Sequence, residues 1–163
     1  MAQSDFTESE LSLLRKAAVL AGAVIAITRY SGSGGTHDEF RGIVEGLEEA
    51  AARYPNNPLV VALASDETRS EADELYPQFR ADPTQKTYED FKLAALNRCG
   101  QAAELLAEKA PPEQAAEVKA AIISMCEHVA QRAKEGTVLG FGGTRVDPME
   151  IAAVEQVRRA LEA

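Results

Sequence analysis

Apolar positions recur along this chain with the 3.6-residue period of α-helices, and the two-residue alternation of strands is nearly absent. Thr7-x-x-Glu10 forms a capping box that opens a first helix running to about Tyr30. Leu11, Leu14, Ala18, Ala21, Ile25 and Thr28 fall on one face of it, while residues 17–27 are apolar all round. A helix of that composition is expected at the centre of a fold, covered on most sides. Gly22 inside it suits a close approach of two helices.

A second capping box, Thr36-His37-Asp38-Glu39, predicts a helix to about Arg53 with Phe40, Ile43, Val44 and Leu47 inward. Tyr54-Pro55-Asn56-Asn57-Pro58 reads as a turn. Residues 59–64 read as a short helix, although Val60 and Val61 also permit a strand. Another short helix is expected from Thr68 to near Pro77, where proline stops it. Asp82-Pro83-Thr84-Gln85 has the cap, first-turn proline and third-position Gln of a helix start. The helix that follows carries Tyr88, Phe91, Ala95, Cys99, Ala102 and Leu106 on one stripe. Pro111-Pro112 ends it and starts the next, with Ala115, Val118, Ile122, Met125, Val129 and Ala133 inward and Gly136 as C-terminal cap. Asp147-Pro148-Met149-Glu150 starts the last helix, expected to bury Ile151, Val154, Val157 and Leu161. The expectation is an all-α, multi-helix bundle of about five main helices and one or two short ones, forming one domain over residues 1–163.

Two segments echo each other: Gly32-Ser33-Gly34-Gly35-Thr36-His37 and Gly140-Phe141-Gly142-Gly143-Thr144-Arg145. They hold six of the eleven glycines and suggest a two-fold internal pseudo-repeat of helix–Gly-loop–helix units. A glycine-rich turn before a helix offers backbone N–H groups to an anion. That makes Gly34, Gly35, Thr36, His37, Gly142, Gly143 and Arg145 candidate ligand-binding residues. Neither loop ends in the Gly-Lys-Ser/Thr of a nucleotide-binding P-loop, and neither carries the sixth-position glycine of the dinucleotide fingerprint. Plain interhelical connection, with glycine supplying positive φ, is the reading against which any ligand must be weighed.

Charge narrows the partners. The 163 residues hold 17 basic and 26 acidic side chains, a net charge of -9, with no basic block, so nucleic acid is a poor fit. The uninterrupted apolar run, eleven residues at 17–27, is too short to span a bilayer. It is preceded by Asp5, Glu8 and Glu10 rather than a basic leader, and the two cysteines are too few for a disulfide framework; a cytoplasmic setting is expected.

Candidate chemistry is sparse. The histidines are His37 and His128, and neither stands in the Glu-x-x-His pattern of helical di-iron sites. Cys126 and His128, two apart on a helix, point to different sides. His37, Asp38, Glu39 and Glu150 are the residues that could make an oxygen/nitrogen metal site, with solvated capping as the alternative. If the helices flanking Pro111 form an antiparallel hairpin, Cys99 lies opposite residue 123 and within a turn of Cys126. No Gly-x-Ser-x-Gly elbow occurs. The acidic runs near Glu8, Glu45 and Glu71 read as solvated helix faces.

Gly142-Gly143-Thr144-Arg145-Val146-Asp147-Pro148-Met149-Glu150-Ile151, with Ala152-Ala153-Val154 after it, resembles the turn–helix segment of tellurite-resistance B-like (TerB-like) domains. The segment from Ser31 to Glu39 is similar in outline. The resemblance implies an all-helical bacterial domain of two similar halves, with a Glu in each post-turn helix, here Glu39 and Glu150. Metal binding through acidic turns is proposed for that family; Ser31 and Gly142 stand where its acidic turn residue would be. The expected function is a non-enzymatic helical binding or scaffold protein, acting on a partner protein, by self-association or within a stress-response assembly. The alternative is a binder of a small ligand or divalent metal at the Gly loops and helix N-termini. A helical enzyme would require a concave site holding perturbed carboxylates. No cofactor is named by any motif.

Overall fold

The computed structural model describes residues 5–28, 32–79, 84–136 and 148–162. Among them are seven α-helices and no strand: α1 (Glu8–Thr28), α2 (Gly32–Arg53), α3 (Pro58–Leu63), α4 (Asp66–Leu75), α5 (Gln85–Lys109), α6 (Pro112–Gly136) and α7 (Pro148–Glu162). A 3₁₀ turn, Tyr76–Phe79, continues α4. The all-α expectation holds. The second Gly loop lies outside the described residues, so the pseudo-repeat has no geometry here.

α1 is the axis of the fold and packs against each of the other six helices. Its start is the expected capping box: Thr7 N donates to Glu10 Oε2 at 2.8 Å, and Glu10 N donates to Thr7 Oγ1 at 3.1 Å. Ala17, Ala18, Ala21, Ala23 and Ala26 are all fully buried, and their small side chains let neighbours come close. The helix is long and apolar enough to cross a bilayer, contrary to the estimate from its central run, because Leu11, Leu13 and Leu14 extend the apolar stretch. In this fold 67% of that window is buried against other helices.

Side-chain contacts fix the pairings. Lys109 Nζ meets Glu10 Oε2 at 2.6 Å, and Thr28 Oγ1 meets Tyr88 OH at 3.1 Å, so α1 and α5 run antiparallel. Lys109 also lies 5.2 Å from the Phe6 ring centroid. α2 and α6 are likewise antiparallel, with Arg132 near the Asp38 carbonyl, His128 beside Glu45, and Arg53 beside Ser124. Asn57 ties the α2–α3 turn to α6: its Oδ1 accepts from Leu59 N and Val60 N, and its Nδ2 donates to Gln114 O and Glu117 Oε1. The side chain is 2% exposed, and every one of those bonds satisfies a group that burial would otherwise leave costly.

The closest packing is where α1, α2 and α6 meet. A Cβ built on Gly22 would lie 2.7 Å from Ile43 Cγ1 and 2.8 Å from Met125 Sδ. One built on Gly46 would lie 2.9 Å from Met125 Cα, and one on Gly42 would lie 3.0 Å from Arg132 Cγ. Gly42 and Gly46 are one turn apart and present one bare strip of α2 to α6. The Gly22 expectation of close helix approach is met, and the α2 pair extends it.

Several boundaries move. α2 begins at Gly32, so Gly32, Gly34 and Gly35 form its first turn and Thr36 is interior rather than a cap. Thr36 and Glu39 are buried, one turn apart and facing inward. Backbone hydrogen bonding through residues 32–36 has therefore won over the local capping box. α4 starts at Asp66 with Ser65 as N-cap. α5 is capped by Thr84, whose hydroxyl accepts from Thr87 N at 3.1 Å, whereas Asp82 lies outside the described residues. On α7 the inward stripe is Glu150, Ala153, Val154, Val157 and Leu161; Ile151, expected inward, is 56% exposed. A stripe that includes Glu150 and Ala153 centres the buried arc so that Ile151 stands about 100° away from it at 100° per residue. α5 and α6 pack little on each other; α5 lies on α1 and α7, and α6 lies on α2. The condition under which Cys99 would lie opposite residue 123, a close α5–α6 hairpin about Pro111, is not met, since both helices pack mainly on other elements.

Gly46→Ala should lower stability by about 1–3 kcal/mol, since the intruding methyl meets backbone rather than a mobile side-chain tip. Gly100→Ala, where a Cβ meets nothing within 4 Å, should raise it by up to about 1 kcal/mol. Urea midpoints check both; equal shifts for the two variants would contradict the close contact at Gly46.

Candidate functional site

Helix α2 divides its residues between two faces from its first turns. Thr36, Glu39, Phe40 and Ile43 point into the protein, while His37, Arg41 and Glu48 follow an outer stripe. α4 lies against that stripe in the antiparallel sense, since Arg69 Nη2 meets Glu48 Oε1 at 2.8 Å at one end and His37 stacks on Tyr76 at the other. Between the two helices is a groove of about 450 Å³. His37, Phe40, Arg41, Val44, Glu45 and Glu48 form its α2 wall; Arg69, Asp73, Tyr76 and Pro77 form the other.

One end of the groove is aromatic. The His37 and Tyr76 rings meet edge to face with centroids 5.0 Å apart, and Phe40 meets Tyr76 in the same manner at 5.6 Å. The series continues inward through Phe40–Phe79 at 6.1 Å and Phe79–Phe91 at 5.0 Å. Tyr76 is thus set by a rigid aromatic stack that reaches α5. The other end is polar and closed by the Glu48–Arg69 pair. Glu45 turns to the far side of α2, where it meets His128 Nε2 at 3.3 Å and Arg132 Nε at 3.5 Å. Glu49 Oε2 lies 3.6 Å from His128 Nδ1, so the imidazole stands between two carboxylates of successive turns. The acidic stretch of α2, expected as a solvated face, is therefore partly engaged with α6.

The residues nominated from sequence fare differently. His37 lines the groove; Asp38, next to it, is exposed, and Gly34 and Gly35 sit in the first turn of α2. Thr36, Glu39 and Glu150 are buried at 0%, 1% and 4% exposure, away from the groove surface. Gly142, Gly143 and Arg145 lie outside the described residues. Among the described residues no group of three or more His, Cys, Asp or Glu side chains is placed to hold a metal ion. His37, Asp38, Glu39 and Glu150 thus supply no such set. Arg41, Arg69, Asp73 and Tyr76 went unnoticed in the sequence. They come from two separate helices, and only the antiparallel packing of α4 on α2 brings them together.

Outside the groove, five ionisable groups among the described residues have shifted titration for identifiable reasons. Lys109 and the Thr7 backbone lower the Glu10 carboxyl. The Glu67 carboxyl is lowered by its own backbone N–H and by Ser65 at the start of α4. Partial burial raises Glu71, on the face of α4 that meets Lys16 and Leu20 of α1. Both cysteines are free and buried. Burial pushes the Cys99 thiol up to about 12 and Cys126 well above its usual value, the latter with a further push from Cys99. Both thiols are thus held in the unreactive protonated form.

Ellman's reagent at about pH 8 should therefore titrate neither cysteine in the native protein and both after unfolding in guanidinium. Rapid release of even one equivalent from the native protein would contradict this placement.

No family model, no curated protein and no solved structure matches the chain.

Proposed function

We propose that this protein acts by binding rather than by catalysis, and that the groove between α2 and α4 is where it binds. The observation that carries this reading is the groove itself: about 450 Å³ of concave space with a rigid aromatic end and charged walls. That size falls within the roughly 300–1,000 Å³ of small-ligand sites. Two of the groove's carboxylates, Glu45 and Glu48, are neutralised by neighbouring cations, which suits a fixed recognition surface. The scaffold behind it is rigid, because α2 is locked to α6 and α1 at glycine contacts. The TerB-like resemblance is compatible with a helical binding module of this kind.

A panel of amino acids, mononucleotides, monosaccharides, dicarboxylates and divalent cations, screened by thermal shift and saturation-transfer NMR, tests the reading. At least one class should stabilise the protein in a saturable way, by about 2.7 kcal/mol at a hundredfold excess over Kd. The variant His37→Ala/Asp73→Lys, altered at exposed groove positions only, should change that binding at least tenfold, weaker for cations and zwitterions and tighter for anions, with an unchanged circular dichroism spectrum. Absence of binding by every class, or binding indifferent to the double variant, would overturn the assignment.

A further inference from the structure

We infer that the groove takes a small zwitterion of the α-amino-acid type, with its carboxylate on Arg41, its ammonium on Asp73 and an aromatic or large apolar side chain at the Phe40–Tyr76 end. This rests on the groove being the binding site and adds the chemistry of what enters it. The charged lining side chains fall into two groups. Glu48 and Arg69 satisfy each other at 2.8 Å, and Glu45 is held by His128 and Arg132 on the far side of α2. Arg41 and Asp73 form no ion pair among the described residues, although both line the groove.

Helix geometry places those two charges at one level. Counting from the Glu48–Arg69 pair, Arg41 is seven residues along α2, about 10 Å, and Asp73 is four residues along α4, about 6 Å. They therefore stand on opposite walls within one helical turn of each other, between the ion pair at one end and the His37–Tyr76 stack at the other. A ligand with one charge would be matched by one wall and face an unmatched or like charge on the other. A carboxylate and an ammonium on one carbon satisfy both at once. Arg41 can take the carboxylate with two parallel N–H donors, and Asp73 can accept from the ammonium. The substituent on that carbon then extends toward the polar end or the aromatic end. Glu48 and Arg69 already fill the polar end, so Tyr76, backed by the Phe40 ring, provides the wall for an apolar side chain. Net neutrality of the ligand also suits a chain of charge -9, which gives no long-range attraction to anions.

The test compares L-phenylalanine with its singly charged relatives, phenylacetate and phenethylamine, and with N-acetyl-L-phenylalanine and L-phenylalanine methyl ester, by calorimetry and ligand-observed NMR. L-Phenylalanine should bind at least tenfold more tightly than each of the four. Arg41→Gln should weaken L-phenylalanine about tenfold or more and leave phenethylamine unchanged; Asp73→Asn should weaken L-phenylalanine similarly and leave phenylacetate unchanged. Both substitutions are at exposed positions, and an unchanged Tm and circular dichroism spectrum confirm that the fold is intact. Equal binding of the capped analogues, or insensitivity to either substitution, would overturn the inference. If a nucleotide, sugar or dicarboxylate binds instead and His37→Ala/Asp73→Lys changes its affinity tenfold in either direction, the groove remains the site and the zwitterion assignment fails. If nothing binds there, both fail.

Discussion

Three helices of this protein meet at points where there is no room for a side chain. Ile43 and Met125, both fully buried, press on Gly22 of α1, and the Met125 backbone presses on Gly46 of α2. Dispersion forces fall steeply with separation, so the bare surface at Gly42 and Gly46 lets α2 and α6 gain contact along a whole antiparallel interface. The contact also determines rotation. With Gly42, Gly46 and Ile43 turned inward, His37, Arg41 and Glu48 must lie on the outer side of α2, where α4 covers them in part. The groove is thus a consequence of how α2 is locked, and its aromatic end is steadied by a stack that runs back through Phe79 to α5.

Charge works on a second level. Exposed ion pairs contribute little stability each, but here they set register. Glu10–Lys109 aligns the start of α1 with the end of α5; Glu45, His128 and Arg132 align α2 with α6; Glu48–Arg69 aligns α4 with α2. The last two occupy the carboxylates that flank the groove, leaving Arg41 and Asp73 without an ion pair among the described residues. The same salt bridges that fix helix direction therefore define which groove charges the proposed ligand would meet.

The long helices were legible because their signals are local. Thr7-x-x-Glu10 caps α1 as its spacing implies, and the stripes of α5 and α6 are buried where the period puts them, from Ala95 to Leu106 and from Val118 to Val129. What failed depended on tertiary balance. A capping box at Thr36 looks the same whether or not Gly32 and its neighbours are drawn into the helix, and only the burial of Thr36 and Glu39 decides it. Val154, Val157 and Leu161 of α7 are buried as the period puts them, but packing against α5 and α6 centres the buried arc toward Glu150 and Ala153, which leaves Ile151 outside it. The groove was nearly invisible. His37 was singled out for its neighbouring glycines, whereas its actual partner, Tyr76, is 39 positions away and arrives through a short helix with no motif of its own. The Gly42-x-x-x-Gly46 spacing was a usable signal for the α2–α6 contact and was not read.

If the glycine contact among α1, α2 and α6 is what the rest of the fold is built on, those segments must open last. Native-state hydrogen exchange measures this directly, because amides in the cooperative core exchange only through global unfolding. The amides of residues 18–26, 43–50 and 122–129 should exchange most slowly and share one opening free energy equal to the global stability, while those of α4 exchange through smaller openings. Exchange of residues 18–26 as fast as that of α4 would contradict the central place given to this contact.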